Sequence, residues 1–292
     1  MGRARGGGTC LPGGVAAVVG LRSARGSGGA LSTSRVFQRY VAIGDSSTEG
    51  LDDPDGLGGY RGWANRLAAR IAAAQPSPLL YANLAVRGRS TRSIRDEQLA
   101  RAAAMRPDLV TLFCGTNDVV ALRFDAAGVA RDVEHMQRTL LEGGATVLGF
   151  TLPDLSPVLP LARPLSGRVR ALNDALRGAS ASSGAILVDF ARYAVGSDPR
   201  LWSLDRLHAN SEGHARIAAA LAHALGLPDT DEAWSNPLPA APTRSLRARL
   251  AAELHWVIAY LLPWAWRHLR GRSSGDGRVP KRPSLERVER WQ

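Results

Sequence analysis

The chain alternates short β-like runs with longer helical patterns from residue 39 to residue 226. Five apolar, often β-branched runs predict strands: Arg39–Gly44, Leu79–Leu84, Asp108–Cys114, Ala145–Thr151 and Ala185–Asp189. Five segments with apolar residues at spacings of three and four predict helices: Gly59–Ala74, Arg92–Ala104, Asp125–Glu142, Pro164–Ala179 and Ser211–Leu225. This alternation indicates an α/β fold, a three-layer α/β/α sandwich around a five-stranded parallel sheet of the flavodoxin-like type.

The basic character of the chain lies near its two ends. Residues 1–35 contain five arginines and no acidic residue, and residues 231–292 contain ten arginines and one lysine against six acidic residues. Residues 36–230 are nearly balanced, with 21 arginines against 20 acidic residues. The net charge of +11 is therefore no reason to expect that the central domain binds nucleic acid, and no nucleic-acid-binding motif accompanies it.

Composition also divides the chain into parts. Residues 1–35 predict a disordered basic leader, because Gly, Ser and Arg cannot bury enough apolar surface to order themselves. Residues 36–230 predict the α/β domain, residues 231–243 a Pro-rich linker, and residues 271–292 a disordered polar tail. The leader has only the outline of an export signal, so we expect a cytoplasmic protein, with peripheral attachment to the membrane and export as the alternatives.

Residues 244–270 predict an amphipathic, Trp-rich helix. Its apolar residues recur at spacings of three or four: Leu246, Leu250, Leu254, Val257, Leu261 and Trp264. The unbroken apolar run Trp256–Trp266 has eleven residues, and a membrane span needs about 20. The helix is expected to dock on the domain or on a second subunit. The alternative is a peripheral contact with a membrane interface, where tryptophan and arginine are favoured.

Polar residues and a glycine follow the predicted strands at the edge where parallel sheets bind ligands. Ser46 follows the first strand in Gly-Asp-Ser, Gly88 follows the second and Asn117 follows the third. Ser46 is a candidate nucleophile. His208 is a candidate general base, and Asp205, three residues earlier, would orient its ring and stabilise the imidazolium.

The same residues also suggest donors for a developing oxyanion. The backbone N–H groups of Ser46 and Gly88 and the side-chain amide of Asn117 would point at one oxygen. Simpler interpretations stay open for each residue type. Ser46 could cap a helix, Gly88 and Asn117 could be turn residues, and Asp205 with His208 could be a surface pair.

Taken in order, these blocks resemble those of the SGNH hydrolases, also called the GDSL esterase/lipase family, over about residues 36–226. The resemblance implies a catalytic domain over residues 36–230 with a Ser46, His208, Asp205 triad and an oxyanion hole formed by Ser46, Gly88 and Asn117. It implies no metal and no cofactor. Two features depart from the family pattern: Ser47 replaces an apolar residue after the nucleophile, and arginines flank Gly88.

The predicted activity is therefore hydrolysis of small-molecule or lipid carboxylic esters through an acyl-enzyme. Two alternatives remain: acyl transfer to an alcohol or sugar, and a catalytically silent scaffold with a membrane-interacting tail. Arg87 and Arg89 are candidates for binding an anionic substrate, although a solvated helix face in an Arg-rich protein is the simpler explanation. The subunit count is not predicted.

Overall fold

The computed structural model of the protein describes residues 35–240, 245–270 and 273–289. The predicted leader therefore lies outside the described residues except for its last position. The same holds for the last three residues of the predicted linker.

Within these described residues, six strands form one sheet in the order β5-β4-β3-β1-β2-β6. Their bounds are β1 Arg39–Gly44, β2 Leu80–Asn83, β3 Leu109–Phe113, β4 Thr146–Phe150, β5 Ile186–Val188 and β6 Arg282–Arg287. Strands β1 to β5 pair in parallel, and β6 pairs antiparallel with β2. The predicted α/β fold is confirmed, and its parallel sheet gains an antiparallel edge strand that the sequence did not predict.

Ten α-helical segments accompany the described strands. Their bounds are α1 Ser46–Glu49, α2 Gly62–Ala74, α3 Thr91–Ile94, α4 Ala100–Ala104, α5 Thr116–Val120, α6 Ala126–Glu142, α7 Ser166–Ser183, α8 Ser211–Ala224, α9 Leu246–Trp256 and α10 Leu262–Leu269. Two π-helical turns, Arg95–Leu99 and Val257–Leu261, join α3 to α4 and α9 to α10. The five predicted helices of the domain are thus present, with shifted ends.

The side chains of β1 show how the layers form. Tyr40 and Ala42 are fully buried in the core shared with α2 and α8, while Val41 and Ile43 are fully buried in the core shared with α6 and α7. Alternate residues of a strand point to opposite faces, so a strand covered on both sides is apolar at every position. The sheet is therefore the middle layer of the sandwich.

The segment after residue 272 differs from the sequence prediction. We expected residues 271–292 to be disordered, whereas Arg282–Arg287 form β6 and the N–H of Val288 donates a 2.9 Å hydrogen bond to the carbonyl of Leu79. The Nζ of Lys281 donates to the carbonyls of Tyr60 and Arg61, at 3.0 and 2.9 Å. The open edge of β2 supplies backbone partners, so this polar strand can order without an apolar core of its own.

The described part of the predicted linker packs on the domain. Trp234 is buried, and the Arg216 guanidinium donates to the carbonyls of Trp234 and Asn236, at 3.0 and 2.7 Å. The tail helix that follows also contacts the domain, because Glu253 forms an ion pair with Arg206. Among the residues that the structure describes, no helix is both long and apolar enough to cross a bilayer.

Candidate active site

A sharp turn at the end of β1 positions Ser46. A Cβ on Gly44 would lie 2.5 Å from the carbonyl oxygen of Phe113, so only glycine fits at this close approach. The Asp45 carboxylate caps α1 by accepting a 3.1 Å hydrogen bond from the N–H of Ser47. Ser46 is the first helical residue and not the cap, so its hydroxyl is available for other contacts.

The candidate triad residues lie in hydrogen-bonding contact. The Nε2 of His208 lies 2.8 Å from the Oγ of Ser46, and its Nδ1 lies 2.6 Å from the Oδ2 of Asp205. The loop that carries the Asp and His is fixed by the start of α8, where the Asn210 side chain accepts from the N–H of Gly213 at 3.0 Å. The carboxylate, imidazole and hydroxyl thus form one continuous chain.

Electrostatics favour an ionised Asp205 and an imidazolium at His208. Burial alone would raise the pKa of Asp205, but hydrogen bonds and charge from His208 outweigh it and lower the pKa to about 2. Burial alone would lower the pKa of His208, yet the hydrogen bond and charge of Asp205, with the charges of Asp52 and Asp45, raise it above the ordinary value. The ring is therefore a stronger base than a free imidazole.

Sequence reasoning missed a second carboxylate beside the ring. The Oδ2 of Asp52 lies 3.9 Å from the Nδ1 of His208, and the Oγ of Ser203 lies 2.6 Å from both Asp52 and Asp205. A hydroxyl carries one proton, so Ser203 can donate to only one of these carboxylates at a time. Asp52 also has a left-handed φ of 65°. Such values are uncommon in non-glycine residues, and the residues that have them cluster at functional sites.

Asp52, Asp205 and His208 lie close enough to one another to suggest a metal cluster. Both ring nitrogens of His208 are already engaged, one by Asp205 and the other by Ser46. These hydrogen bonds account for the short distances within the cluster, and we assign no metal to it.

The candidate oxyanion donors differ in their present contacts. Within the described chain, the N–H groups of Ser46 and Gly88 donate to no other residue. The Nδ2 of Asn117 donates to the Oδ2 of Asp45 at 3.2 Å and to the carbonyl of Arg89 at 3.0 Å. Asn117 must therefore exchange one of these hydrogen bonds to reach a ligand oxygen, and the bond to Asp45 is the longer.

Asp45 is a fully buried carboxyl beside the nucleophile. Burial raises its pKa to about 6, although the hydrogen bond from the N–H of Ser47 and the charge of His208 act in the opposite direction. Protonation of Asp45 as the pH falls through about 6 would weaken its attraction for the Asn117 amide. The sequence analysis assigned no role to this residue.

Glu49 and Glu97 engage the two arginines that flank Gly88. Arg87 forms an ion pair with Glu49 and lies over the ring of Tyr60, with 5.4 Å to the centroid. The Nε of Arg89 forms a 2.9 Å ion pair with Glu97. Neither arginine lines the cleft beside Ser46, so these contacts do not support the expectation that they bind substrate.

A cleft that is open at its mouth adjoins the Ser46 hydroxyl. Ser46, Asn117 and His208 are among its polar lining residues. Its other walls are mostly apolar and include Phe113, Phe150, Leu152, Phe190, Trp202 and Trp234. The apolar walls can hold an apolar chain of a ligand while a polar group at the end of that chain contacts Ser46.

Sequence comparison identifies the family of the chain. The profile of the GDSL-like lipase/acylhydrolase family matches residues 42–216, a range that contains all five candidate residues of the triad and the oxyanion hole. The chain belongs to this family. No curated protein matches the chain significantly.

Solved structures of GDSL-like and other ester hydrolases share the fold. A lipase/acylhydrolase from Enterococcus faecalis is 21% identical with a TM-score of 0.55, and the match covers 70% of this chain and 100% of that one. An acetylxylan esterase from Geobacillus stearothermophilus is 16% identical with a TM-score of 0.54, covering 69% and 97%. A psychrotrophic esterase from Pseudoalteromonas is 16% identical with a TM-score of 0.52, covering 65% and 97%. At such identities the likeness establishes the fold alone.

Proposed function

We propose that this GDSL-family protein is a serine hydrolase of carboxylic esters that works through an acyl-enzyme. The observation that carries the proposal is the unbroken hydrogen-bond chain from Asp205 through His208 to the Ser46 hydroxyl, at 2.6 and 2.8 Å. A capping serine or a surface Asp-His pair would not need this alignment. A nucleophile activated by an oriented base does need it.

The first half of the reaction forms the acyl-enzyme. Ser46 Oγ attacks the ester carbonyl carbon as its proton moves to His208 Nε2, and Asp205 stabilises the resulting imidazolium. The N–H groups of Ser46 and Gly88 and the Asn117 amide donate to the oxyanion. The tetrahedral intermediate then breaks the ester C–O bond, and the imidazolium gives its proton to the departing alcohol.

The second half releases the acid. His208 Nε2 takes a proton from water as the water oxygen attacks the acyl carbon, and a second oxyanion forms in the same place. Its collapse breaks the bond to Ser46 Oγ, which recovers the proton from the imidazolium. One ester and one water thus give one acid and one alcohol, with no metal or cofactor in any step.

The cleft supports an ester with an apolar acyl group. Its walls beside Ser46 are formed by phenylalanine, leucine and tryptophan side chains, and the residues that bear charge at neutral pH, Asp45 and Arg216 among them, are few. The structural neighbours from Geobacillus stearothermophilus and Pseudoalteromonas are esterases. We therefore expect short or medium-chain aliphatic esters to be turned over.

The test is hydrolysis of p-nitrophenyl butyrate by wild-type protein and by Ser46→Ala. The change removes the nucleophile, so kcat should fall by at least ~10³-fold and labelling by a fluorophosphonate probe should disappear. Ser47→Ala is the matched control, because Ser47 is the next residue of α1 and its Oγ contacts Trp63 instead of His208. Equal activity and labelling of wild type and Ser46→Ala would refute the proposal.

A further inference from the structure

Exposed apolar side chains concentrate at the carboxyl ends of the parallel strands, where the candidate site lies. Between residues 35 and 240, seven large apolar side chains are exposed, and five of them lie in the connections that follow the carboxyl ends of β1, β3, β4 and β5. These five are Leu57, Leu122, Leu161, Tyr193 and Leu204. Loops at the carboxyl ends of parallel strands share one edge of the sheet. Exposed apolar residues therefore surround the end of the sheet that holds the candidate site.

The tail helix adds a longer apolar surface. Six side chains at four-residue intervals are each between 57% and 68% exposed: Leu246, Leu250, Leu254, Ile258, Leu262 and Trp266. In a regular α-helix each four-residue step would rotate the stripe by about 40° beyond a full turn. The π-helical turn Val257–Leu261 winds more loosely and reduces this drift. The stripe thus stays near one side of the helix along its length.

The opposite side of the helix is fixed to the loop that carries the candidate base. Trp256 is buried, and its Nε1 donates a 2.8 Å hydrogen bond to the backbone carbonyl of Asp205. Glu253 accepts hydrogen bonds of 2.8 and 2.7 Å from Arg206. These contacts hold the helix at the active-site edge and leave its apolar stripe facing outward.

The charge of the tail helix indicates which kind of surface its apolar stripe binds. Residues 244–270 contain five arginines and a single acidic residue, Glu253, whose charge is already paired with Arg206. Arg247 and Arg267 are exposed near the two ends of the helix, and Arg270 lies 4.2 Å from the ring centroid of Trp266. A long apolar stripe flanked by arginines and tryptophan matches the interface of an anionic bilayer.

We infer that the tail helix and the apolar loop tips bind an anionic lipid surface, with the mouth of the cleft held at that surface. A second copy of the chain is a poorer occupant, because it would bring two helices of the same positive charge together. The inference goes beyond ester hydrolysis and does not depend on it. Binding can be measured without any turnover.

The test is sedimentation of the full chain with vesicles of phosphatidylcholine alone or mixed with phosphatidylglycerol. Wild type should bind the mixed vesicles more tightly than the neutral ones. Leu250→Asp combined with Ile258→Asp should weaken that binding about tenfold or more, since both side chains leave the apolar phase and bring negative charge. Thermal unfolding should change little, because both side chains are more than half exposed.

A matched control carries an added carboxylate elsewhere. Ala181 is exposed near the end of α7 that leads into the start of β5, at the opposite edge of the sheet, so Ala181→Asp should bind vesicles as wild type does. Arg247→Gln with Arg267→Gln should weaken binding to the mixed vesicles and leave binding to neutral ones unchanged. Three results would overturn the inference: wild type that stays in the supernatant, a Leu250/Ile258 variant that still binds, or a dimer that depends on the stripe and ignores vesicles.

Discussion

The indole of Trp256 donates a hydrogen bond to the backbone carbonyl of Asp205, at 2.8 Å. The next residue, Arg206, has a left-handed φ of 61°, and its guanidinium lies 5.3 Å from the centre of the same indole ring. A residue of the tail helix thus braces a strained loop whose two ends carry the proposed orienting carboxylate and the proposed base. The helix belongs to the support of the site as well as to the surface of the molecule.

Replacing Trp256 with phenylalanine should therefore reduce activity although the residue lies outside the triad. The change removes a hydrogen bond worth about 1 kcal/mol, so kcat/KM for p-nitrophenyl butyrate should fall roughly fivefold. Trp266→Phe is the control, because Trp266 is 57% exposed on the other side of the helix. If the two variants behave alike with this soluble substrate, the indole does not support the loop.

Activity should be lost as the pH falls, because the proposed mechanism needs a neutral His208. Its pKa is raised above the ordinary 6.5, so the acid limb of the kcat/KM profile should lie above that value. Asp52 is one of the charges that raise this pKa, and Asp52→Asn should move the acid limb to lower pH.

The control for this pH experiment is Asp154→Asn, an exposed carboxylate in another loop of the same sheet edge. Asp45, with a pKa of about 6, titrates in the same range, so the informative quantity is the difference between variant and wild type. An acid limb that does not move in Asp52→Asn would show that Asp52 has no influence on the ring.

Gly88 should not tolerate a side chain. Its φ is +74°, and an added Cβ would lie 2.2 Å from the Oγ of Ser273. Gly88→Ala must displace the Ser273 hydroxyl, which now donates to the carbonyl of Gly88, and the positive φ would strain the backbone of a proposed oxyanion donor. We expect a kcat loss of about 10-fold or more along with a lower melting temperature.

Gly58→Ala separates backbone strain from collision. Gly58 also has a positive φ, +89°, but an added Cβ would meet no atom within 4 Å. Gly58→Ala should therefore lower the free energy of unfolding by only about 1–2 kcal/mol, which is the cost of alanine in a left-handed backbone conformation, and it should leave kcat unchanged. Similar losses of stability and activity in both variants would mean that the contact with Ser273 has no importance.

The antiparallel edge strand should contribute measurably to stability. A chain that stops after Arg270 loses the pairing of β6 with β2 and both hydrogen bonds of Lys281. Because each such bond contributes about 1 kcal/mol, the free energy of unfolding in urea should fall by at least ~2 kcal/mol. A chain that lacks only residues 290–292 is the control and should unfold like wild type. An unchanged unfolding midpoint in the shorter chain would contradict a stabilising role for β6.

The parts of the fold that follow from local pattern were predictable. Strands β1 to β5 are apolar at nearly every position because helices cover both faces of the sheet, and their ends fall within two residues of the prediction. The proposed nucleophile and base could be found because both belong to short sequence patterns, Gly44-Asp45-Ser46 at the end of β1 and Asp205 to His208 in the loop before α8. Family resemblance added their roles.

The remaining features depend on contacts between distant parts of the chain. β6 is polar, and its order comes from the unpaired edge of β2, which no window around residues 282–287 contains. Asp52 stands in an acidic loop without a motif, and only folding brings it within 3.9 Å of the His208 ring. Trp256 attaches the tail helix to the domain, and the spacing of the leucines does not indicate that this tryptophan lies on the docked face.

The position of β6 in the chain has a consequence for biosynthesis. Ribosomes deliver the chain from its amino end, so every residue of the proposed site emerges well before the strand that covers β2. During that interval the nascent domain presents a bare strand edge, which is a template for pairing with another nascent chain. Slow translation beyond His208 should therefore favour aggregation, and a holdase chaperone would be most useful at that stage.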